Sequence, residues 1–418
     1  MDKIPISYEE IVRRAGAPVV AVVFGVGHFQ GLAVMRGLGR MGVPVYAIGE
    51  PKSVGFHSRY ARECLVSPDP HRDSEGLMCL LLALGRRLKS EGKRTVLFPT
   101  RDSVVELIAK EQGVLSQYFI CHTPDYDVIS RCSDKEAQIQ AARETGVPIP
   151  CTYADHELPR LDEDLAKGRL AFPVVLKPKK ELPSDLKKKF RAVVIESRAQ
   201  LDGLVRTVNR EGIRFLVQEI IPGADDQLYT FGSCLSRTGD IKACFTGRKL
   251  RQFPPRFGIC RVGESKQVEP IIHDGTKLLR ALRFFGISQV EFKFDARDSQ
   301  YKLMEVNPRP WVWIGLPIGL SINIPYAHFC DALGVDTPLQ TMPPKRGLYI
   351  SLYDDLCWSL KARDGRPWAH LFKGYDVIVD PYYAPDDRMP GVVHYTRCAG
   401  MLMQTGFNRI VKALRLRR

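Results

Sequence analysis

No run of apolar residues in this 418-residue chain approaches the ~18 needed to span a bilayer. The candidates, APVVAVVFGV at 17–26 and GLMCLLLALG at 76–85, suit a buried strand and a buried helix. Eleven cysteines are scattered without a C-x-x-C pair, and their number is odd. This argues against a disulfide framework and a zinc site, and buried thiols in a reducing compartment are expected. The opening MDKIPISYEE lacks the basic-then-apolar pattern of a secretory signal, so a cytoplasmic enzyme is the expectation. No helix-turn-helix, zinc knuckle or aromatic–basic repeat is present, so nucleic acid is not an expected partner. No Ser/His/Asp or Cys/His set stands out as a nucleophilic centre.

What is present is a 44% hydrophobic, 26% charged composition, enough for a substantial core and for two or three domains. The formal charge is +14. Part of it lies in the last eleven residues, NRIVKALRLRR, where Arg409, Lys412, Arg415, Arg417 and Arg418 stand without an acid. Such an end can touch an anionic membrane surface or another polyanion, or stand as a solvated terminal helix. Positive charge is also expected of a protein that handles polyphosphates.

Residues 18–125 alternate apolar strands (PVVAVVFG, PVYAIGE, TVLFPT, YFICHTPD) with helical segments, which predicts a doubly wound α/β unit. The helix DSVVELIAKEQG is expected to be capped by Asp102 or Ser103. Gly25, Gly27 and Gly31, with Glu50 ending the second strand, are spaced G-x-G-x-x-x-G, which departs from the dinucleotide fingerprint. Close strand–helix packing is the simpler reading of these glycines. His28 and Arg59 fall near strand ends, where open α/β sheets bind ligands.

At Ser133 the texture changes. Ser133-Asp134-Lys135-Glu136 reads as a capping box opening the helix DKEAQIQAARET. Lys135 is electrostatically out of place at a helix N-terminus, and either a shared anion or simple surface solvation would remove the conflict. Lys177 lies within the apolar strand AFPVVLKPK, where a lysine needs an anionic partner. FLVQEIIPGADDQLYTFGSCLS predicts a strand, a Pro222-Gly223 turn, two aspartates and another strand, and RTGD leads into a hairpin partner. The chain is organised around QVEFKFDARDSQYKLMEVNPRPWVW at 289–313. Two alternating runs flank the turn Ala296-Arg297-Asp298-Ser299. If the turn centres on Asp298, Glu291 faces Glu305 and Gln289 faces Asn307 across an antiparallel pair. Opposed carboxylates have Cβ atoms roughly 5 Å apart and repel without a counter-charge. A hard divalent cation held with substrate phosphates is the natural one; the plain alternative is two ordinary surface glutamates on a hairpin. Beyond 345, GLYISLYDDL and GYDVIVDPYYAPDD look like strands with turns, with Asp354, Asp355, Asp376 and Asp380 as caps.

Taken in order, Lys135, Lys177, Gln218-Glu219, Asp226 and the Glu291…Glu305-x-Asn307-x-Arg309 hairpin resemble the ATP-grasp superfamily of ligases. The stretch VEFKFD…YKLMEVNPRPW is most similar to its carboxylate–amine ligase branch, which includes D-aspartate ligase. The resemblance covers about residues 18–330. It implies an N-terminal doubly wound α/β (pre-ATP-grasp) domain at 1–127 and an ATP-grasp domain of two α+β subdomains at 128–218 and 219–334. A C-terminal extension with a basic tail would fill 335–418. It further implies ATP and Mg²⁺ (or Mn²⁺), small-molecule carboxylate and amine substrates, and compatibility with a homodimer.

Residue by residue, Lys135 and Lys177 match the lysines on the nucleotide phosphates. Gln218, Glu219, Ile220 and Ile221 match the adenine hinge, with Glu219 or the backbone around Ile220 and Ile221 reading the purine edge. Asp226, or its neighbour Asp225, matches the ribose carboxylate. Glu291, Glu305 and Asn307 match the metal ligands, and Arg309 the arginine that steadies the transferring phosphoryl group. Lys177 shares that charge. Two features depart from the pattern. The segment from Lys179 to Lys189 has five lysines and no glycine, which points to side-chain contacts from Lys187, Lys188 or Lys189 in place of a backbone cradle. Pro310, Trp311 and Trp313 read either as a wall of the acceptor site or as core, and Arg248, Lys249, Arg251 and Arg256 as an anion clamp. Two rival readings are an NAD(P)-linked oxidoreductase built on Gly25–Gly31, and a catalytically inactive nucleotide-binding regulator.

Overall fold

In a computed structural model the described residues are 6–401, except 71, 181, 183–185, 187–188, 255–256 and 363–371. The basic tail, Lys187, Lys188 and Arg256 therefore lie outside the described residues. No described helix is long and apolar enough to cross a membrane. Every described cysteine is a free thiol.

Four parallel strands form the first sheet: β1 (Val19–Val23), β2 (Val45–Gly49), β3 (Ala61–Val66) and β4 (Arg94–Phe98), in the order β3-β2-β1-β4. The VVAVV of β1 is buried throughout, as a central parallel strand covered on both faces should be. β3 escaped the sequence pattern because it is an edge strand whose residues alternate between half-buried and exposed. The strand expected at 118–125 reduces to a single parallel bridge, Val96 to Ile120. Pro124 has no N–H to extend the ladder, and the helix Tyr126–Ser133 follows. The fingerprint glycines serve packing. A Cβ on Gly31 would lie 2.3 Å from the Gly25 carbonyl oxygen, so strand and helix touch only because Gly31 has none.

A second sheet comprises β5 (Thr152–Ala154), β6 (Val174–Pro178), β7 (Val193–Ile195) and β8 (Phe215–Glu219), antiparallel in the order β5-β8-β6-β7. The third and largest contains β9 (Leu228–Leu235), β10 (Ile241–Phe253), β11 (Ile259–Ser265), β12 (Gly286–Asp295), β13 (Gln300–Asn307), β14 (Gly347–Ile350) and β15 (Val377–Val379). Their order is β13-β12-β9-β10-β11-β14-β15. The stretch after 345 thus adds two strands to this sheet. Its YDDL segment is the start of a helix, Leu352–Ala362, where a strand had been expected. Asp354 and Asp355 hold that helix to the sheet through Arg261 (2.7 Å) and Arg251 (2.9 Å).

One face of the large sheet, with Phe231, Val290, Phe292, Leu303 and Val306, packs into an apolar core. The other face carries Gln289, Glu291, Thr230 and Glu305, in register across β13, β12 and β9. Further along it, Trp311 and Trp313 are each 1% exposed and belong to the core that joins this sheet to the first one. Glycines seat both rings. A Cβ on Gly232 would lie 2.1 Å from the Trp311 ring, and one on Gly263 would lie 3.1 Å from Trp313.

This seating makes a direct prediction. Gly232→Ala overpacks a site with no slack, a class of change that costs about 1–3 kcal/mol. Calorimetry should therefore find the unfolding temperature of Gly232→Ala lower by about 1–3 °C; an unchanged melting temperature would contradict the seat.

Candidate active site

The hairpin β12–β13 pairs Glu291 with Glu305 and Gln289 with Asn307, as the alternation predicts. The turn differs from its expected centre. Asp295 pairs with Gln300, which places the centre half a residue earlier, and Ser299 sits at φ 58°. A β-bulge at Met304 restores the register, since Phe292 pairs with Leu303 while Glu291 pairs with Glu305. Bulges re-aim side chains. This one lines the cleft between the second and third sheets, together with Lys135, Lys177 and Gln218.

Lysines from separate elements answer the two carboxylates. Lys135 Nζ lies 3.2 Å from Glu305 Oε1, and Lys249 Nζ lies 2.8 Å from Glu291 Oε1. Burial by itself would raise the Glu305 pKa, but Lys135, Lys177 and Arg309 reverse this and hold it at about 2. Burial likewise works against the Lys249 charge, and Glu291 overcomes it, so its pKa is raised. Of the clamp expected from Arg248, Lys249, Arg251 and Arg256, the three described members separate. Among them only Lys249 turns to the hairpin, whereas Arg248 pairs with Glu264 (2.6 Å) and Arg251 with Asp355. Period-two alternation along β10 could have set Lys249 apart from Arg248.

The helix that carries Lys135 spans Lys135–Thr145, and its cap is Asp134 in place of the Ser133 box. Ser133 already ends the preceding helix. Asp134 accepts from the N–H groups of Glu136 (2.9 Å) and Ala137 (3.3 Å). Three residues along, Gln138 was not anticipated from the sequence. Its amide accepts from Val306 N–H (2.9 Å) and donates to the Val306 carbonyl (3.1 Å). It thereby satisfies the free edge of β13 and fixes the residue between Glu305 and Asn307.

Lys177 donates to Gln218 Oε1 at 2.8 Å, and Gln218 donates to Thr152 Oγ1 at 2.9 Å. The Gln218 amide is thus committed to orienting Lys177. Burial lowers the Lys177 pKa from 10.5 to about 8, against the pull of Glu305. Lys179 is bound to Glu136 and to Asp155 (3.2 Å), and Lys180 to Ser130 (3.1 Å). These two lysines of the loop therefore hold structure.

At the hinge, the Glu219 carboxylate accepts from Cys151 N–H (3.1 Å) and pairs with Arg297. Lys293 donates to the carbonyls of Ile221 (2.8 Å) and Gly223 (3.0 Å). Asp225 accepts from Gln252 at 2.8 Å, while Asp226 sits beside Gln227 at 3.5 Å. Arg309 donates to Asp102 (2.8 Å) and to Asn307 Oδ1 (3.3 Å). That explains why Asp102 does not cap its helix, whose cap position is Arg101 with no side-chain bond. Arg101 instead pairs with Glu50 (2.6 Å) and contacts His28. Arg59 is drawn away toward the Asp386–Asp387 segment. Among the described residues no three His, Cys, Asp or Glu side chains converge as a ready metal site. A cation here would take two carboxylates and the Asn307 amide from the protein, and the rest of its shell from water and phosphate.

No family model matches the chain. D-aspartate ligase of Enterococcus faecium (strain Aus0004) is 26% identical over 257 residues, 58% of this chain and 60% of that enzyme. The chain therefore spans less than two thirds of the curated relative it matches. Among solved structures, N5-carboxyaminoimidazole ribonucleotide synthetase in its ADP complex superposes with a TM-score of 0.61 at 15% identity, over 83% of this chain and 85% of that one. L-amino acid ligase from Bacillus licheniformis does so at 0.57 and 16%, over 77% and 75%. The chain has the fold of the ATP-grasp ligases. Within that fold, its sequence similarity lies with D-aspartate ligase.

The Lys177 ammonium sets a pH dependence for anions entering this cleft. Below pH ~8 it is charged, and above it an anion must bring a proton with it. The affinity for inorganic triphosphate, taken as a ratio to that of Lys177→Arg so that the ligand's own titration cancels, should fall as pH rises through 8. The limit is about tenfold per unit. A ratio that stays flat from pH 7 to 9.5 in calorimetric titrations would contradict the assignment.

Proposed function

We propose that the protein is an ATP- and Mg²⁺-dependent ligase that activates a carboxylate as an acyl phosphate and joins it to an amine. The observation that carries this reading is the opposed pair Glu291 and Glu305, each answered by a lysine, in a cleft whose other wall presents Lys177. A static protein gains little from that much compensated charge under one cleft; a polyphosphate and its cation make use of all of it.

In this reading a substrate carboxylate oxygen attacks the γ-phosphorus of ATP, the bond to the β-phosphate oxygen breaks, and ADP leaves. The amine nitrogen then attacks the acyl carbon, inorganic phosphate departs with the carboxylate oxygen, and the amine loses a proton. Lys135 and Lys177 hold the phosphates, and Arg309, steadied by Asp102 and Asn307, neutralises the transferring group. Glu291, Glu305 and Asn307 would hold Mg²⁺, or Mn²⁺ in its place, which would supply neutralising charge for the phosphates. Lys249, paired with Glu291 here, would be available to the acyl phosphate if Glu291 held the cation.

Because the Glu219 carboxylate is occupied by Cys151 and Arg297, the purine edge falls to the backbone at Ile220 and Ile221. Gln218 acts through Lys177. Asp226 is the better ribose carboxylate, since Asp225 accepts from Gln252. The oxidoreductase alternative loses its support, because Glu50 pairs with Arg101 and the glycines serve packing. The proposal keeps the division at 1–127, 128–334 and 335–418, the cytoplasmic setting, a homodimer, and contact of the basic tail with an anionic membrane surface.

ADP release with Mg²⁺-ATP, measured across pooled small carboxylates and amines, tests the reading. Release should require both pools, and Glu305→Ala should reduce it by about 100-fold or more. Equal rates in the variant and the wild type would sink the metal assignment, and nicotinamide binding without ATP binding would revive the oxidoreductase.

A further inference from the structure

A cavity of about 290 Å³ lies away from the nucleotide cleft, where the helix Phe29–Gly39, the helix Gly315–Gly319, β15 and the segment 380–385 meet. Its lining is mostly apolar and includes Phe29, Ala33, Ile318, Val379 and Tyr383. Ile378 and Tyr383 line it while remaining 47% and 42% exposed, so it opens to solvent at β15. Ligand sites are typically concave, largely apolar and a few hundred Å³ in volume, with a few placed polar groups.

The cavity cannot close by relaxation of its outer wall, because that wall is tied to the helix Phe29–Gly39 and the segments beside it. Arg36, 5% exposed, donates to Asp387 Oδ2 (2.9 Å) and to the carbonyls of Pro381 (3.1 Å) and Tyr382 (2.6 Å). Arg40 grips Asp386 with two bonds of 2.8 and 2.9 Å, and Ser58 donates to Asp387 at 2.7 Å. On the opposite side, glycine at 315 leaves open the room between Ala33 and Val379 that a larger side chain would fill. The space is thus preformed, and preformed sites lose less free energy on binding.

Tyr349 lines the cavity and is 1% exposed, but its hydroxyl is itself buried, so a ligand has no polar anchor there. The charged groups around the cavity are matched internally. Arg36 and Arg40 hold Asp387 and Asp386, and Asp380 accepts from the N–H groups of Tyr382 (2.9 Å) and Tyr383 (2.7 Å).

We propose that this cavity is a second small-molecule site, for an uncharged, largely apolar molecule. It shares a sheet face with the catalytic cleft but is walled from it. Tyr349 pairs with Gly263 and Gly263 with Lys249, and the Trp313 ring sits on Gly263 between them. The proposal does not depend on the ligase reading.

The test uses 2-naphthol, a fluorescent aromatic with a single hydroxyl, titrated into the full-length protein. Wild type should bind it saturably, one molecule per chain, with a matching rise in melting temperature, and Glu305→Ala should bind it equally well. Ala33→Leu, which fills the space, should weaken it more than tenfold. Absence of saturable binding to wild type, or an affinity unchanged in Ala33→Leu, would overturn the proposal.

Discussion

Two carboxylates placed face to face on one sheet must be neutralised, and the architecture around Glu291 and Glu305 answers that constraint. The counter-charges come from different parts of the chain: Lys135 at a helix start, Lys249 on β10, and Lys177 across the cleft on β6. Each sits where its own surroundings penalise it. Lys135 is at the positive end of a helix, and Lys177 and Lys249 are desolvated. The arrangement is stable only as a set. Such a set is also poised, because a cation and a polyanion entering together can exchange partners with it at little net electrostatic cost.

The supports of this set link all three sheets. Gln138 locks the edge of β13 and so holds Glu305 at its level. The Met304 bulge corrects the register the turn would otherwise impose. Asp102, from the first sheet's side of the molecule, reaches Arg309 on the segment that leaves β13. Thr152 and Gln218 carry the second sheet's support to Lys177. A displacement of any one sheet would therefore be felt at the carboxylate pair. Trp311 and Trp313 reinforce the same joint by filling the space between the first and third sheets, seated on Gly232 and Gly263.

Much of this could be read from the residues. The strand period around 289–307 placed Glu291 opposite Glu305, and the parallel sheet followed from fully apolar runs such as VVAVV. What escaped has physical reasons. β3 and β11 are strands whose polar and small residues, such as Arg62, Glu63 and Gly263, blur the alternation. The helix cap moved from Ser133 to Asp134 because Ser133 ends the preceding helix, and Asp102 gave up capping for Arg309. Tertiary partners decide such choices, and no local window contains them. The same holds for Lys249, whose basic neighbours face elsewhere, and for Gln138, whose role exists only because β13 is an edge. The cavity beside Tyr349 is made by segments far apart in the chain, and no motif marks it.

The central claim is that the hairpin carboxylates couple a divalent cation to a nucleotide. Isothermal calorimetry of a non-hydrolysable ATP analogue, with and without Mg²⁺, measures that coupling directly. The account predicts that Mg²⁺ tightens binding to the wild type by about tenfold or more, a coupling of ~1.4 kcal/mol, and that Glu291→Gln with Glu305→Gln removes most of the gain. An equal gain in the double variant would show that the cation is held by the phosphates alone, and the account would be wrong.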